Sequence, residues 1–272
     1  MTPRVEAPAR IPALCVGGRT LEHRWTGPPP SEAPTIVFLH EGLGSVSTWR
    51  DFPARLSEVT GCGALVFSRA GHGQSDPPAG PRSVRYLHEE ALDVLPAVLE
   101  AVSVVRPVLF GHSDGATIAL LYAAAHPDAV LGAIVEAPHV NVEEEALAGI
   151  RRTVEAYEAG ALREKLKRHH GDGTDALFRA WSGIWLSPAF RGWNIEDRLA
   201  SITCPVLVVH GEDDEYGTLA QVESVLSHVK GPAHSLVLPR CGHAPHAEKP
   251  DEVLAAAATF VREVRFRDAT AP

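Results

Sequence analysis

The residues whose types and spacing could do chemistry begin at Gly111-His112-Ser113-Asp114-Gly115. An apolar run, Pro107 to Phe110, leads into this G-x-S-x-G stretch, and a helical stretch rich in small residues, Ala116 to Ala125, leads out of it. A strand-to-helix turn of this kind holds its serine in a strained conformation above a sheet, and flanking glycines let neighbouring backbone pass close by. A serine hydroxyl is a poor nucleophile at neutral pH, so it needs a base within hydrogen-bond reach and an acid to orient that base. Gly211-Glu212-Asp213-Asp214-Glu215 and Cys241-Gly242-His243-Ala244-Pro245-His246 supply both, in the order serine, acid, histidine. His243 is the expected base because it follows a glycine directly after the last strand, with His246, beside the closing helix, the alternative. Asp214 is preferred to Asp213 as the acid by its G-x-x-D spacing, and Glu136 is a third choice. Acyl transfer also requires donors aimed at the developing oxyanion. The amide of Asp114 is one, and the loop His40 to Ser45 supplies the other, with Gly42 preferred over Glu41 and Leu43 because no side chain obstructs its amide.

These loops need a scaffold that gathers them. Ala13 to Val16 and Leu21 to Thr26 read as an opening hairpin around Gly17-Gly18, and Pro28 to Pro30 as a stiff connector. Thr35 to Leu39, Ala64 to Ser68, Pro107 to Phe110, Val130 to Val135, Val206 to His210 and Ser235 to Leu238 are short apolar runs of the kind buried on both faces. Between them lie helical periodicities: Val84 to Val102, with a kink expected at Pro96, then Ala116 to Ala125, Leu219 to Val229 and Pro250 to Phe266. Ile195 to Ile202 reads as a shorter helical link. Such alternation predicts a mostly parallel sheet with helices on both faces and functional loops at the carboxyl ends of the strands.

From Pro138 to about Trp193 the alternation stops, and Glu143 to Ala159, Ala161 to His169 and Thr174 to Trp185 read as helices. The expected organisation is a core formed by residues 1–137 and 195–272, with a helical cap over residues 138–194. The cap carries Trp181, Trp185 and Trp193, which serve either to pack it onto the core or to line a pocket.

Composition narrows the function classes. The 272 residues are 45% hydrophobic and 22% charged with a net charge of −9, which argues against a nucleic-acid surface. The basic stretch Arg163 to His170 reads as a solvated helix face. Cys15, Cys62, Cys204 and Cys241 are widely spaced and read as small buried hydrophobes in a reducing compartment, not as a disulfide framework. Met1 to Gly18 lacks the apolar run of a secretion signal, and no segment reaches transmembrane length. A soluble cytoplasmic protein that needs no metal or organic cofactor and acts on a small molecule is the expectation, with oligomeric state unread.

Together the motifs resemble the α/β-hydrolase family, and the resemblance spans Thr35 to Phe266. It implies a triad of Ser113, Asp214 and His243, oxyanion donors at Gly42 and Asp114, and a structural turn at Gly71 to Ser75. Ser68 stands where the family often has aspartate, and Glu41 replaces the commoner glycine after His40. The Ser-Asp-Gly elbow is similar to that of the valacyclovir hydrolase, or biphenyl-hydrolase-like, branch. Hydrolysis of small carboxylic esters is the leading expectation. Carbon-carbon bond or amide hydrolysis, or a receptor retaining the triad, are the alternatives, whereas dehalogenase and epoxide-hydrolase chemistry calls for aspartate at Ser113. The branch further implies acidic recognition of a substrate amino group, for which Glu41 and Asp114 are the candidates, with Trp181 and Trp185 completing the substrate site.

Overall fold

The computed structural model describes residues 13–270. Residues 1–12 and 271–272, and with them most of the N-terminal stretch considered above, lie outside the described residues. The chain forms an α/β-hydrolase fold around a seven-stranded sheet. Its strands are β3 (His23–Thr26), β4 (Thr35–Leu39), β5 (Gly63–Phe67), β6 (Val108–His112), β7 (Gly132–Glu136), β8 (Val206–Gly211) and β9 (Ala233–Leu238), in the order β3-β5-β4-β6-β7-β8-β9. Only β3 runs antiparallel to its neighbour. The opening hairpin is shorter than expected: β1 (Leu14–Val16) pairs with β2 (Arg19–Leu21), and the chain then leaves at Glu22 so that β3 joins the main sheet.

The central strands read as continuous apolar runs because both faces are covered. Val37 and Leu39 of β4 face one core cluster with Leu65, Leu109 and Val135, while Ile36 and Phe38 face a second with Val66, Phe110 and Ile134. The second cluster is covered by α1 (Phe52–Thr60) and the closing helix α11 (Pro250–Ala269), whose Val253, Ala257, Val261 and Val264 repeat at helical spacing. Helix α1 was not anticipated; its markers are Pro53 in the first turn and Gly61, which closes it at φ +66°.

The periodicity from Val84 to Val102 resolves into α2 (Tyr86–Glu89), a π-helical turn at Glu90–Val94 and α3 (Leu95–Ala101). Pro96 lies in the first turn of α3. It lacks the N–H that would continue an α-helical ladder, and the wider turn occupies the point where that ladder breaks. Helix α4 (Asp114–Ala125) is buried nearly all round. This is why its composition is apolar rather than amphipathic.

Between β7 and β8 the chain forms α5 (Glu144–Glu158), α6 (Ala161–His170), α7 (Thr174–Trp185) and the short α8 (Glu196–Leu199), the last less than the eight-residue link expected there. The two ends of this insertion meet in an isolated bridge between Asn141 and Asn194, and the Ile195 amide donates to the Val140 carbonyl at 2.8 Å. Helix α9 (Leu219–His228) separates β8 from β9, and α10 (Pro245–Glu248) precedes α11. Among the described residues no helix is long and apolar enough to cross a membrane.

Sheet and elbow meet at two glycines. A side chain at Gly111 would strike the Gly115 carbonyl, and one at Gly115 would strike the carbonyl of Leu39 on the neighbouring strand. Neither obstacle is a flexible side-chain end. Gly115→Ala is therefore expected to destabilise the protein by about 1–3 kcal/mol in urea unfolding. Gly173→Ala, at a helix start with open space around it, should change stability by no more than about 0.5 kcal/mol.

Candidate active site

Register in the sheet sets the first positions. Leu39 pairs with Gly111 and His112 with Glu136, so the loops after β4, β6 and β7 leave the sheet side by side. Ser113 follows at φ +53°, ψ −115°, a conformation that L-residues rarely adopt. Its amide donates to the Glu136 carbonyl at 2.9 Å, and the Thr117 amide donates back to the Ser113 carbonyl at 3.1 Å. The turn is thereby held between β7 and the first turn of α4.

The candidate acid and base come from the loops after β8 and β9. Asp214 is buried, and its two carboxylate oxygens lie 2.8 and 2.9 Å from Nδ1 of His243. Carboxylate oxygens accept, so Nδ1 carries the proton and Nε2 is left to act as the base. The Tyr216 amide donates to Asp214 Oδ1 at 2.8 Å, and the Tyr216 ring packs 4.7 Å from the His243 ring. Burial alone would raise the Asp214 pKa, but the adjoining His243 outweighs it and holds the carboxyl at about 2. Asp213 is exposed. Glu136 accepts from the amide of His246 at 3.0 Å and from its ring Nδ1 at 2.7 Å. The structure thus pairs Asp214 with His243, and Glu136 with His246, as two separate couples.

The loop after β4 is oriented from behind. The Glu41 carbonyl accepts from Arg69 at 2.8 Å and from His40 Nδ1 at 2.7 Å, and the Leu43 carbonyl from His170 at 2.8 Å, while His72, beneath Gly42, accepts from Arg82 at 3.0 Å. Across a trans peptide the N–H points opposite to the C=O. Pinning the Glu41 carbonyl on buried Arg69 therefore turns the Gly42 amide away from the core. A side chain at Gly42 would collide with the indole of Trp181. Ser68 donates to Glu22 at 2.6 Å and accepts from the Val46 amide at 2.9 Å, so Glu22, from outside the motif, brings a carboxylate to a turn whose own sequence lacks one.

Ser113, His243, Glu41, Gly42, Asp114, Trp181 and Trp185 all line one cavity of about 460 Å³, completed by Leu43, Ala146, Ile150 and Leu162. Trp193 does not line it and stacks instead on Phe190 at 5.2 Å. The two acids assigned to substrate have protein partners. The Asp114 carboxylate accepts from Tyr86 at 2.9 Å and faces the buried guanidinium of Arg69 at 3.5 Å, while Glu41 Oε2 lies 3.7 Å from His112 Nδ1. Trp185 donates to the Tyr86 hydroxyl at 3.0 Å, which ties α7 to the same group.

His139 was not foreseen, though the signal was available: it follows β7 in a loop of the kind that gathers site residues. It lines the cavity 5.7 Å from the His243 ring, and burial, reinforced by His243, pulls its pKa down to about 3. It is a neutral imidazole at physiological pH. Arg69 and His170 were missed because they act on main-chain carbonyls, which leave no trace in residue spacing. His112, Glu136 and His246 bring ligand-type atoms within 4.8 Å of one another, but the Glu136–His246 pair already bonds internally and His112 Nε2 donates to the His243 carbonyl at 2.7 Å.

Removing the Asp114 charge would leave Arg69 buried without its counter-ion, at a cost of about 3–5 kcal/mol. Asp114→Asn should therefore lower the melting temperature in a thermal scan; an unchanged melting temperature would show that the carboxylate is not needed to neutralise Arg69.

Comparison with known proteins bears on this arrangement. The model of the alpha/beta hydrolase family matches residues 36–257. The chain is similar to the 2-succinyl-6-hydroxy-2,4-cyclohexadiene-1-carboxylate synthase of Enterobacter sp. (strain 638), 26% identical over 86% of this chain and 94% of that protein. It is likewise similar to the human serine hydrolase BPHL, 27% identical over 92% of this chain and 85% of that protein. Among solved structures, the enol-lactonase from Burkholderia xenovorans LB400 superposes with a TM-score of 0.70 at 20% identity, covering 92% of this chain and all of that one.

Proposed function

Because the chain belongs to the alpha/beta hydrolase family, we propose that it is a serine hydrolase of small carboxylic esters working through an acyl-enzyme on Ser113, His243 and Asp214. One observation carries this reading: an imidazole whose Nδ1 is saturated by a buried carboxylate shares its cavity with a serine held at positive φ. In the first half-reaction Ser113 Oγ bonds to the ester carbonyl carbon as His243 Nε2 takes its proton. The tetrahedral oxyanion meets the amides of Gly42 and Asp114, each such donor being worth about 3 kcal/mol. Collapse breaks the bond to the leaving alcohol, which receives the proton from His243. Water then repeats the sequence on the acyl-enzyme, releasing the acid and restoring Ser113. Asp214 stabilises the imidazolium in both halves and keeps the ring in the tautomer that leaves Nε2 free.

Leu43, Ala146, Ile150, Leu162, Trp181 and Trp185 give the cavity an apolar lining. That favours an apolar acyl or alkyl group, with the helical insertion over residues 138–194 acting as the cap that selects it. Since Asp114 and Glu41 both face cationic partners within the protein, an ammonium group on the substrate adds little attraction. The four cysteines are free, three of them buried as expected and Cys15 exposed, a usage that suits a reducing, cytoplasmic setting.

A fluorophosphonate probe should label Ser113 alone, with labelling abolished in Ser113→Ala and His243→Ala and retained in His246→Ala. Labelling of another residue, or unchanged turnover of p-nitrophenyl esters by Ser113→Ala, refutes the assignment. Asp214→Asn should lower kcat by up to about 10⁴-fold, by analogy with serine proteases, whereas Asp213→Asn should stay within a few-fold of wild type. Similar and mild losses in both variants would remove Asp214 from the triad.

A further inference from the structure

Behind Ser113 lies a buried cluster of charge that the proposed reaction does not use. His112 is 3% exposed, Glu136 is fully buried and His246 is 7% exposed. His112 Nε2 lies 2.7 Å from the main-chain carbonyl oxygen of His243. A carbonyl can only accept, so this nitrogen carries a proton. The other ring nitrogen, Nδ1, is buried without a hydrogen-bond partner and lies 3.7 Å from Glu41 Oε2. Glu136 Oε2 is also buried without a partner, and His112, Glu136 and His246 each bring one ligand-type atom to within 4.8 Å of the others. A bare lone pair on Nδ1 would face the Glu41 carboxylate at 3.7 Å with the Glu136 carboxylate also close to the ring and nothing to offset the repulsion, whereas a second proton turns the ring into a cation beside two anions.

We propose that His112 is a positioning residue of the active site: a buried imidazolium, kept charged by Glu41 and Glu136, whose Nε2–H fixes the main chain of His243 and so aims the base. The proposal rests on the reading of His243 as that base. His112 precedes the nucleophile directly and grips the base through its carbonyl, so one side chain couples two loops that must meet to within a fraction of an ångström. Misplacement by about 1 Å is enough to cost about 10²-fold in rate.

The surroundings agree. Burial disfavours the charged ring, but Glu41 and Glu136 outweigh it and push the His112 pKa up to about 9. Facing His112 are Glu41 from the loop after β4, Glu136 from β7, His243 and His246 from the segment before and within α10, and the edge of Trp49 at 6.4 Å. Arg50, Lys165 and His169 share with it a separate cavity of about 250 Å³. The neutral ring of His139 lies beyond His243. A pKa raised above the ordinary value of about 6.5 contributes stability that is fully present below that pH and is lost as pH rises through 9.

The test compares His112→Ala, which removes both donor and charge, with His112→Gln, which keeps an N–H donor and removes the charge. His112→Ala should lower kcat about 10²-fold with KM within a few-fold of wild type, and His112→Gln should recover part of the loss. The wild-type melting temperature should fall as pH rises from 8 to 10, and this fall should be absent in His112→Gln. By NMR, the His112 ring should titrate near 9, and the low-field Nδ1–H resonance of His243 should broaden or vanish in His112→Ala while persisting in His112→Gln. Unchanged kcat in folded His112→Ala, or a wild-type His112 that titrates near 6.5, overturns the proposal. Should His112→Ala not fold, the wild-type titration and the glutamine variant decide alone. Should the hydrolase reading itself fail, Ser113→Ala would match wild type in turnover, and the His243 resonance would still report whether His112 positions that ring.

Discussion

The buried pairing of Arg69 with Asp114 is the interaction on which most of the site depends. Arg69 is 2% exposed and Asp114 1% exposed, so neither charge has water to fall back on. One guanidinium faces the acid at the head of α4 and donates to the Glu41 carbonyl, thereby joining the loop after β5 to the loop after β4 and to the elbow. Asp114 in turn holds Tyr86, and Tyr86 holds Trp185 of the helical insertion. A buried ion pair is weak evidence of net stability, because desolvation costs about as much as the attraction returns. Its contribution here is geometric. Directional hydrogen bonds to a planar guanidinium fix several loops relative to one another in a way that apolar packing would not.

A second pattern follows from the strand ends. Carboxylates and imidazoles alternate through the layer above the sheet: Glu41 against His112, Glu136 against His246, and Asp214 against His243, with His210 3.6 Å behind Asp214. Each acid lies against at least one imidazole, and Asp214 lies between two, His243 and His210. His246 and His243 lie three residues apart, yet one ring packs 4.5 Å from Trp49 beneath the loop and the other faces the cavity. The proline at 245 starts a helical turn between them and sends the two rings to opposite sides.

Much of this was legible in the chain itself. The alternating strands, the helical insertion and the position of Ser113 follow from periodicity and from glycines that only a close backbone crossing requires. The spacing of Gly211 and Asp214 and of Gly242 and His243 led to the pair that the structure joins at 2.8 Å. What stayed hidden was of a different kind. Helix α1 follows a loop whose apolar residues are too sparse to suggest a period, and the break around Pro96 takes the form of a π turn that no propensity encodes. Asp114 and Glu41 looked like free acids because their partners, Arg69 and His112, approach from other parts of the fold. A charge in a sequence carries no sign of what will neutralise it; only the register of β4, β5, β6 and β7 decides that.

The insertion and the oxyanion loop are coupled for a related reason. Trp181 lies so close to Gly42 that any side chain there would collide with it, while His170 of α6 accepts from the Gly73 amide and donates to the Leu43 carbonyl. The loop proposed to present an amide to the oxyanion is therefore held from the core by Arg69, and from the insertion by His170 and Trp181. A molecule in the cavity that displaced α7 would shift Trp181 off Gly42 and, through Trp185, pull on Tyr86 and Asp114, whose amide is the other proposed donor. Under the proposed function, size selection by the insertion and alignment of the donors would therefore act through the same contacts. A substrate that fills the cavity without moving these two tryptophans would be the one for which the proposed donors stay in place.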